Sequence, residues 1–457
     1  MNSPVYQTVI VGGGFTGLFT ALHLAHEHYP RSVILIDKNK RFCFKPLLYE
    51  YFDGEMDSSK VVPHFSELLK SSGVIFVQDT VRSIDLHQSE VELASGYSYK
   101  YSNLVLALGS VTSYPHVEGA KENAFPFWTE ADATTLYRHL RDCLQTAIQT
   151  EDVEKRSKLL TVVVVGGGAS GVEMVATLAD FLPHWYGVLG GNAAEIRVIL
   201  LNHGQKILDG DINDRLRPIA ETELQKRTVE ISIILKAEAT VVQPDAVEYK
   251  SHNKVKILPT YTTIWTAGTS THPLIQDLPI PSEHRDHHSR PLVTPTMQLL
   301  DFPEVFAGGD CAALQNTSLP PIAQVAYQQG ANIARNLKAL ALGKDPQPAK
   351  VDIRGTMLKL GLNDAAANLF NIFEVAGEPA HLIRQGTYLT LLPTPIHNFK
   401  ATTEWLDEEI FHHHTNPRDM GQEVIHAVEL LAAGVVSVLV ARKLLKMLGD
   451  EGKKGNR

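Results

Sequence analysis

With 457 residues, 44% of them hydrophobic, the chain is long enough for two to three domains around a sizeable core. A formal net charge of −9 argues against a nucleic-acid partner. Three cysteines, Cys43, Cys143 and Cys311, without a C-x-x-C pair, exclude a disulfide framework and a redox dithiol and suit a reducing interior. The first strand is expected within eight residues of Met1, which leaves no room for a cleaved signal.

Thr8–Val11 predicts a short buried strand running into Gly12-x-Gly14-Phe15-Thr16-Gly17 and then a helix over Leu18–Glu27. Gly12 serves the tight turn, Gly14 lets the backbone approach a pyrophosphate, and Gly17 lets helix and strand pack closely. The helix start offers free N–H groups and a positive dipole end to phosphate. Val33–Ile36 is the next strand, ending 20 residues after Gly17 in Asp37, where a carboxylate binds a ribose diol. Together these make a dinucleotide site rather than a glycine-rich turn.

Lys38, Lys40, Arg41 and Lys45 suit the phosphates and adenosine of a bound FAD; the competing reading is a solvated loop before a core helix. Pro46 and Leu47 set the backbone where it passes the isoalloxazine. Cys43 has two readings, a peroxidatic or persulfide thiol, or a small buried hydrophobe between Phe42 and Phe44. Residues 74–117 predict a β-meander with strands at 74–77, 83–86 and 91–93, Val81 being counted among the flavin contacts. It returns to Leu104–Gly109, an apolar run closing on Ala107 and Gly109. A crossover follows at 115–119, then a helix over Ala131–Thr150.

The pattern then repeats. Thr161–Val165 enters Gly166-x-Gly168-Ala169-x-Gly171, 154 residues after the first copy, and Thr263–Gly268 echoes Leu104–Gly109. Two such folds suggest two dinucleotides, and a flavin with NADPH or NADH is the pair between which a hydride can pass. Glu173 is either a first-turn acid complementing the helix dipole or a group pointing into the cleft towards the nicotinamide. Asp180–Ala194, with Gly187, Gly190 and Gly191, reads as part of a long helix-to-strand connection. The second strand, Ile196–Leu201, ends in Asn202-His203, where an acid would repel a 2′-phosphate. Its absence, with His203 or Lys206 at hand, predicts use of NADPH.

His284, His287 and His288 stand among Arg285 and Asp286 and read as a solvated loop rather than metal ligands; no metal site is expected. Val305–Ala307 with Gly308, Gly309 and Asp310 reads as a strand ending in an acid just before a helix. Such an acid suits the ribityl hydroxyls of FAD, with the following N–H groups facing its pyrophosphate. The helix is placed over Pro320–Gly330. There Gln324 and Gln328, four residues apart and following Ala323, share a face able to hydrogen-bond a quinone carbonyl, or form a plain polar face.

Assembled, the chain resembles the type II NAD(P)H:quinone oxidoreductases of the two-dinucleotide-binding flavoproteins. The resemblance is carried by Gly12–Gly17, Phe44-x-Pro46-Leu47-Leu48-Tyr49, Gly166–Glu173, Phe306–Asp310 and Ala323-Gln324-x-x-x-Gln328, over roughly residues 6–340. It implies that Gln324 and Gln328 face the quinone and that Glu173 lies near nicotinamide and flavin. Gly355–Ala366 and Leu391–Lys400 look like the cyanobacterial and plastid branch, whose naphthoquinone-reducing members act in phylloquinone synthesis. That implies reduction of demethylphylloquinone to its quinol without proton pumping. The implied fold is α/β with two Rossmann-like dinucleotide-binding domains: FAD-binding at 1–117 and 290–345, NAD(P)H-binding at 118–289. An α+β region at 346–457 would end in an amphipathic helix.

A lipid-soluble naphthoquinone implies a membrane surface. Residues 423–448 carry an apolar core, Leu430–Ala441, of 12 residues, short of the roughly 20 needed to span. With Arg442, Lys443 and Lys446 it suits a helix lying in the interface, against the alternative of packing on the domain or on a homodimer partner. His412–His414 read as solvent-exposed. The expectation is a peripheral membrane protein on the cytoplasmic side. Three rival readings remain: a respiratory-type NADH:plastoquinone or menaquinone reductase, a Cys43-dependent peroxide or disulfide reductase, and a non-catalytic FAD-binding redox sensor. A sulfide:quinone reductase is less suited, because the cysteines are not paired.

Overall fold

A computed structural model describes residues 7–114, 117–210, 216–353, 355–369, 373–391 and 393. Strand β1 (Gln7–Val11) turns through the first glycines into α1 (Phe15–His26), and β2 (Ser32–Asp37) follows. After a one-turn 3-10 segment comes α2 (Leu48–Asp53). Next are β3 (Ile75–Gln78), an antiparallel meander (Val81–Asp85, Glu90–Leu93, Ser98–Lys100) and β4 (Asn103–Leu106). Residues 74–77 were expected as the first strand of the meander; the observed strand is 75–78. It instead pairs parallel to β2 as the sheet edge, Ile34 opposite Ile75, and the meander's third strand is Ser98–Lys100.

Helix α3 (Glu130–Gln149) begins with a capping box in which Thr129 and Asp132 satisfy each other's backbone N–H. The second unit then runs β5 (Thr161–Val165), α4 (Ala169–Val188), β6 (Arg197–Asn202), α5 (Leu216–Leu224), β7 (Ile231–Leu235), three antiparallel strands over 237–259, and β8 (Thr262–Trp265). Strand β9 (Val305–Ala307) and α6 (Ala323–Ala341) return to the first unit. Last come β10 (Gly355–Gly361), β11 (Asp364–Leu369), β12 (Phe373–Gly377) and α7 (Glu378–Thr390).

Two parallel five-stranded sheets result, ordered β9-β4-β1-β2-β3 and β7-β6-β5-β8 with Phe125–Pro126 at the last edge. Both are the doubly wound arrangement, in which the strand order reverses beside the first strand and opens a crevice at the carboxyl ends. Their central strands are buried on both faces, as parallel sheets covered by helices require. Helices α1 and α6 pack closely because residue 330 is glycine: a Cβ there would stand 2.6 Å from the Thr16 carbonyl oxygen. Strands β10–β12 form an antiparallel sheet under α7, the expected α+β region.

Two expected boundaries move. Asp180–Val188 belongs to α4, which continues through Pro183. Proline cannot donate to the carbonyl four residues back, and the amide of Val229 reaches that Ala179 oxygen instead, at 3.2 Å. Pro320–Ile322 precedes α6 rather than opening it, since a residue before proline is steered out of the helical region. Among the described residues no helix is long and apolar enough to cross a membrane. Residues 423–448 and His412–His414 lie outside the described residues.

Candidate active site

Both glycine turns are built on the same contact. A Cβ at Gly17 would lie 1.8 Å from the Gly12 carbonyl oxygen, and one at Gly171 would lie 1.8 Å from that of Gly166. Neither lines the cavity; each holds helix against strand. At Gly14, by contrast, an added Cβ would meet no protein atom and would project into the cavity. That is the surface a pyrophosphate needs, and it fits a dinucleotide.

The acid that ends β2 completes the first cradle. Asp37 accepts from the Gly13 amide at 2.7 Å and the Asn39 amide at 2.7 Å. Burial raises its carboxyl above the ordinary range, offset in part by those amides. The second cradle repeats this with a neutral residue. Asn202 accepts from the Gly167 amide at 3.2 Å and donates to the Lys206 carbonyl at 2.8 Å. The ammonium of Lys206 lies 3.4 Å from Asp209, and His203 lines the cavity.

One cavity of about 1880 Å³ joins the two cradles. It is lined by Gly12, Gly14, Phe15, Thr16, Asp37, Lys38, Pro46, Val81, Ala107, Gly109, Gly309, Asp310, Ala323 and Gln324 from the first set, and by Gly166, Gly168, Ala169, Glu173, Asn202 and Gly268 from the second. Leu47 is buried in the core instead. Gln328 turns aside: its amide donates to the carbonyl of Asp352 and accepts from its N–H, each at 2.9 Å. Asp310 stands in a 3-10 turn, Gly309–Cys311, rather than just before a long helix. The Gly309 N–H is taken by Gln329 at 2.6 Å, a residue of the same helix that the sequence did not single out. His287 and His288 also line the cavity, whereas His284 pairs with Asp301 at 2.7 Å.

Glu173 is the fifth residue of α4, past the first turn, so it is not a first-turn acid. Its carboxylate accepts from the Lys359 N–H at 2.8 Å and lies 3.9 Å from Arg384. Burial pushes it up to about 7 against the pull of Arg384. Behind it sits a charge cluster the sequence did not disclose. Lys359, fully buried, reaches Asp53 and Glu55 at 2.8 Å and Glu50 at 3.7 Å, and Arg384 bonds Glu50. Burial would raise Glu50, but Arg384 and Lys359 hold it down; burial and the neighbouring Asp53 push Glu55 up to about 8. The available signal was a lysine in the apolar alternation of Met357–Leu360.

Cys43 also lines the cavity, but burial pushes its thiol up to about 11. The thiolate is the nucleophile, so this is a poor setting for peroxide or disulfide chemistry. All three cysteines are free.

A family model for pyridine nucleotide-disulphide oxidoreductases matches residues 6–330. The demethylphylloquinone reductase NdbB of Synechocystis is 32% identical, over 87% of this chain and 95% of its own length. The alternative NAD(P)H-ubiquinone oxidoreductase C1, chloroplastic/mitochondrial, of Arabidopsis thaliana is 29% identical, over 87% of this chain and 80% of its own. The structure of NDH2 from Plasmodium falciparum in complex with NADH covers 89% of this chain and 99% of that one with a TM-score of 0.78, at 18% identity. That last likeness is one of fold.

Proposed function

The chain belongs to the pyridine nucleotide-disulphide oxidoreductase family, and from that premise we propose that it is a type II NAD(P)H:quinone oxidoreductase reducing a membrane naphthoquinone, demethylphylloquinone, to its quinol. FAD and NAD(P)H are its cofactors. When bound, the flavin takes a hydride from the nicotinamide and passes two electrons to the quinone, so the chain's part is placement and electrostatics. The turn at Gly12–Gly14 and the acid Asp37 hold the flavin's adenosine half, with Asp310 at the other end. The turn at Gly166–Gly168 holds the nicotinamide nucleotide, and the neutral Asn202 admits a 2′-phosphate. Glu173 holds a proton near the junction, and Gln324 offers an uncharged amide to the quinone.

The observation that carries this reading is the single cavity shared by both glycine turns, Glu173 and Gln324. The choice of quinone rests on the likeness to the Synechocystis relative. Attachment to the membrane surface through residues 423–448, and pairing of two copies, belong to the same reading. Anaerobic stopped-flow tests it, following flavin bleaching by NADPH and NADH and then a pulse of a demethyl-naphthoquinone. Fast bleaching followed by fast reoxidation is expected. Bleaching that the quinone does not reverse would overturn quinone reduction, and no bleaching would overturn the reductase itself.

A further inference from the structure

Among the cations that line the cavity, Lys45 is one that the reading above does not use. It stands in the 3-10 turn before α2 and sets its ammonium 3.2 Å from the centre of the Trp128 ring. No described carboxylate forms an ion pair with it; the two acids that act on it are engaged elsewhere. Asp132 accepts from the amides of Trp128 and Thr129, and Asp310 accepts from the Ser110 hydroxyl at 3.2 Å. The same Asp132 bonds fix the backbone of Trp128 just before α3. Burial lowers the ammonium to about 8, with Asp310 and Cys43 opposing. A cation over an indole face is attracted by the ring quadrupole, yet keeps its charge available to a second, anionic neighbour.

Where that neighbour comes from follows from the cradle. A dinucleotide with its pyrophosphate on Gly12–Gly14 and its adenosine ribose at Asp37 must send its other half towards Asp310, the end where Lys45 stands. We propose that Lys45, seated on Trp128, supplies the positive charge that offsets the electron pair gained by the flavin ring and so raises its reduction potential. This rests on the FAD reading above. The charge balance is simple: a hydride brings two electrons and one proton. The donor nicotinamide is thereby oxidised to its cationic form, while the flavin gains one negative charge until a second proton or the quinone relieves it. Lys45 acts on that charge and transfers nothing. Trp128 is a positioning residue.

The test is the two-electron midpoint potential of the flavin-loaded protein, measured by dye equilibration without either substrate. Lys45→Met is expected to lower the equilibrium constant for reduction at least tenfold, which for a two-electron couple is about 30 mV. Lys45→Arg, which keeps the charge, should stay within threefold of the parent. A change under threefold in Lys45→Met, or an equal fall in Lys45→Arg, overturns the proposal. Bleaching of the parent by NADPH is read separately, so failure of the reductase reading and failure of this one are distinguishable.

Discussion

At residue 202 the chain makes a choice visible against its own first half. Asp37 and Asn202 occupy the same place at the end of the second strand of each sheet, and each ties down the glycine turn before it. The amide performs the structural task without the charge. Asn202→Glu is therefore expected to shift the ratio of kcat/KM for NADPH over NADH at least tenfold towards NADH, as steady-state rates with both donors would show. An unchanged ratio would remove the charge argument. Glu173, pushed up to about 7 by burial, gives a second residue-scale expectation. In the parent the rate of quinone reduction should carry an ionisation near 7, present as the acid below and lost above. In Glu173→Gln that inflection should vanish from the pH profile of kcat. A profile identical to the parent's would place the proton elsewhere.

Between elements, β10 and α7 are tied to α2 by buried charges. Lys359 meets Glu50, Asp53 and the partly exposed Glu55, and Arg384 meets Glu50; Lys359, Arg384, Glu50 and Asp53 have almost no solvent access. Breaking one side of a buried pair leaves uncompensated charge, at a cost of about 3–5 kcal/mol. Lys359→Met should lower stability by roughly that amount, read from chemical denaturation. The pH dependence has a definite sign. Glu55 is raised in the fold to about 8, against roughly 4.3 unfolded. Its contribution is whole below the unfolded value and is lost as pH rises through 8. Glu55 faces Asp53, Glu50 and Lys359, so Glu55→Gln should flatten the fall in stability between pH 5 and 9 by on the order of a few kcal/mol. A steeper fall would reverse the assignment.

For the whole molecule, the legible parts were those where sterics allow one residue type. The two glycine turns could be read because a Cβ at Gly17 or Gly171 would overlap a carbonyl oxygen. Asp37 was legible from its spacing to the first turn, and Asp310 from its place at the end of a short apolar strand. Less legible was whatever depends on a distant partner. Val74–Val77 is an apolar run whose pairing with β2 leaves no local mark. Pro183 reads as a breaker because the amide that rescues Ala179 lies 46 residues further along, at Val229. The buried cluster draws on α2, β10 and α7, and which of Gln328 and Gln329 faces Gly309 is fixed only once the helix is docked. Residues 423–448 remain a sequence argument. Full-length chain and a version ending at 398 should both be bleached by NADPH, but only the former should float with anionic vesicles. Flotation of both would move lipid contact to the body of the protein.

Glu173 and Lys359 are joined through the backbone, the N–H of residue 359 and not its side chain. Every replacement at 359 except proline keeps that N–H donor, so the hydrogen bond that orients Glu173 does not depend on the lysine side chain, although the ammonium's charge also acts on the Glu173 carboxyl. The side chain of 359 is held by the cluster around α2, while the backbone of the same residue orients Glu173. Stability and the orientation of Glu173 thus rest on different atoms of one residue.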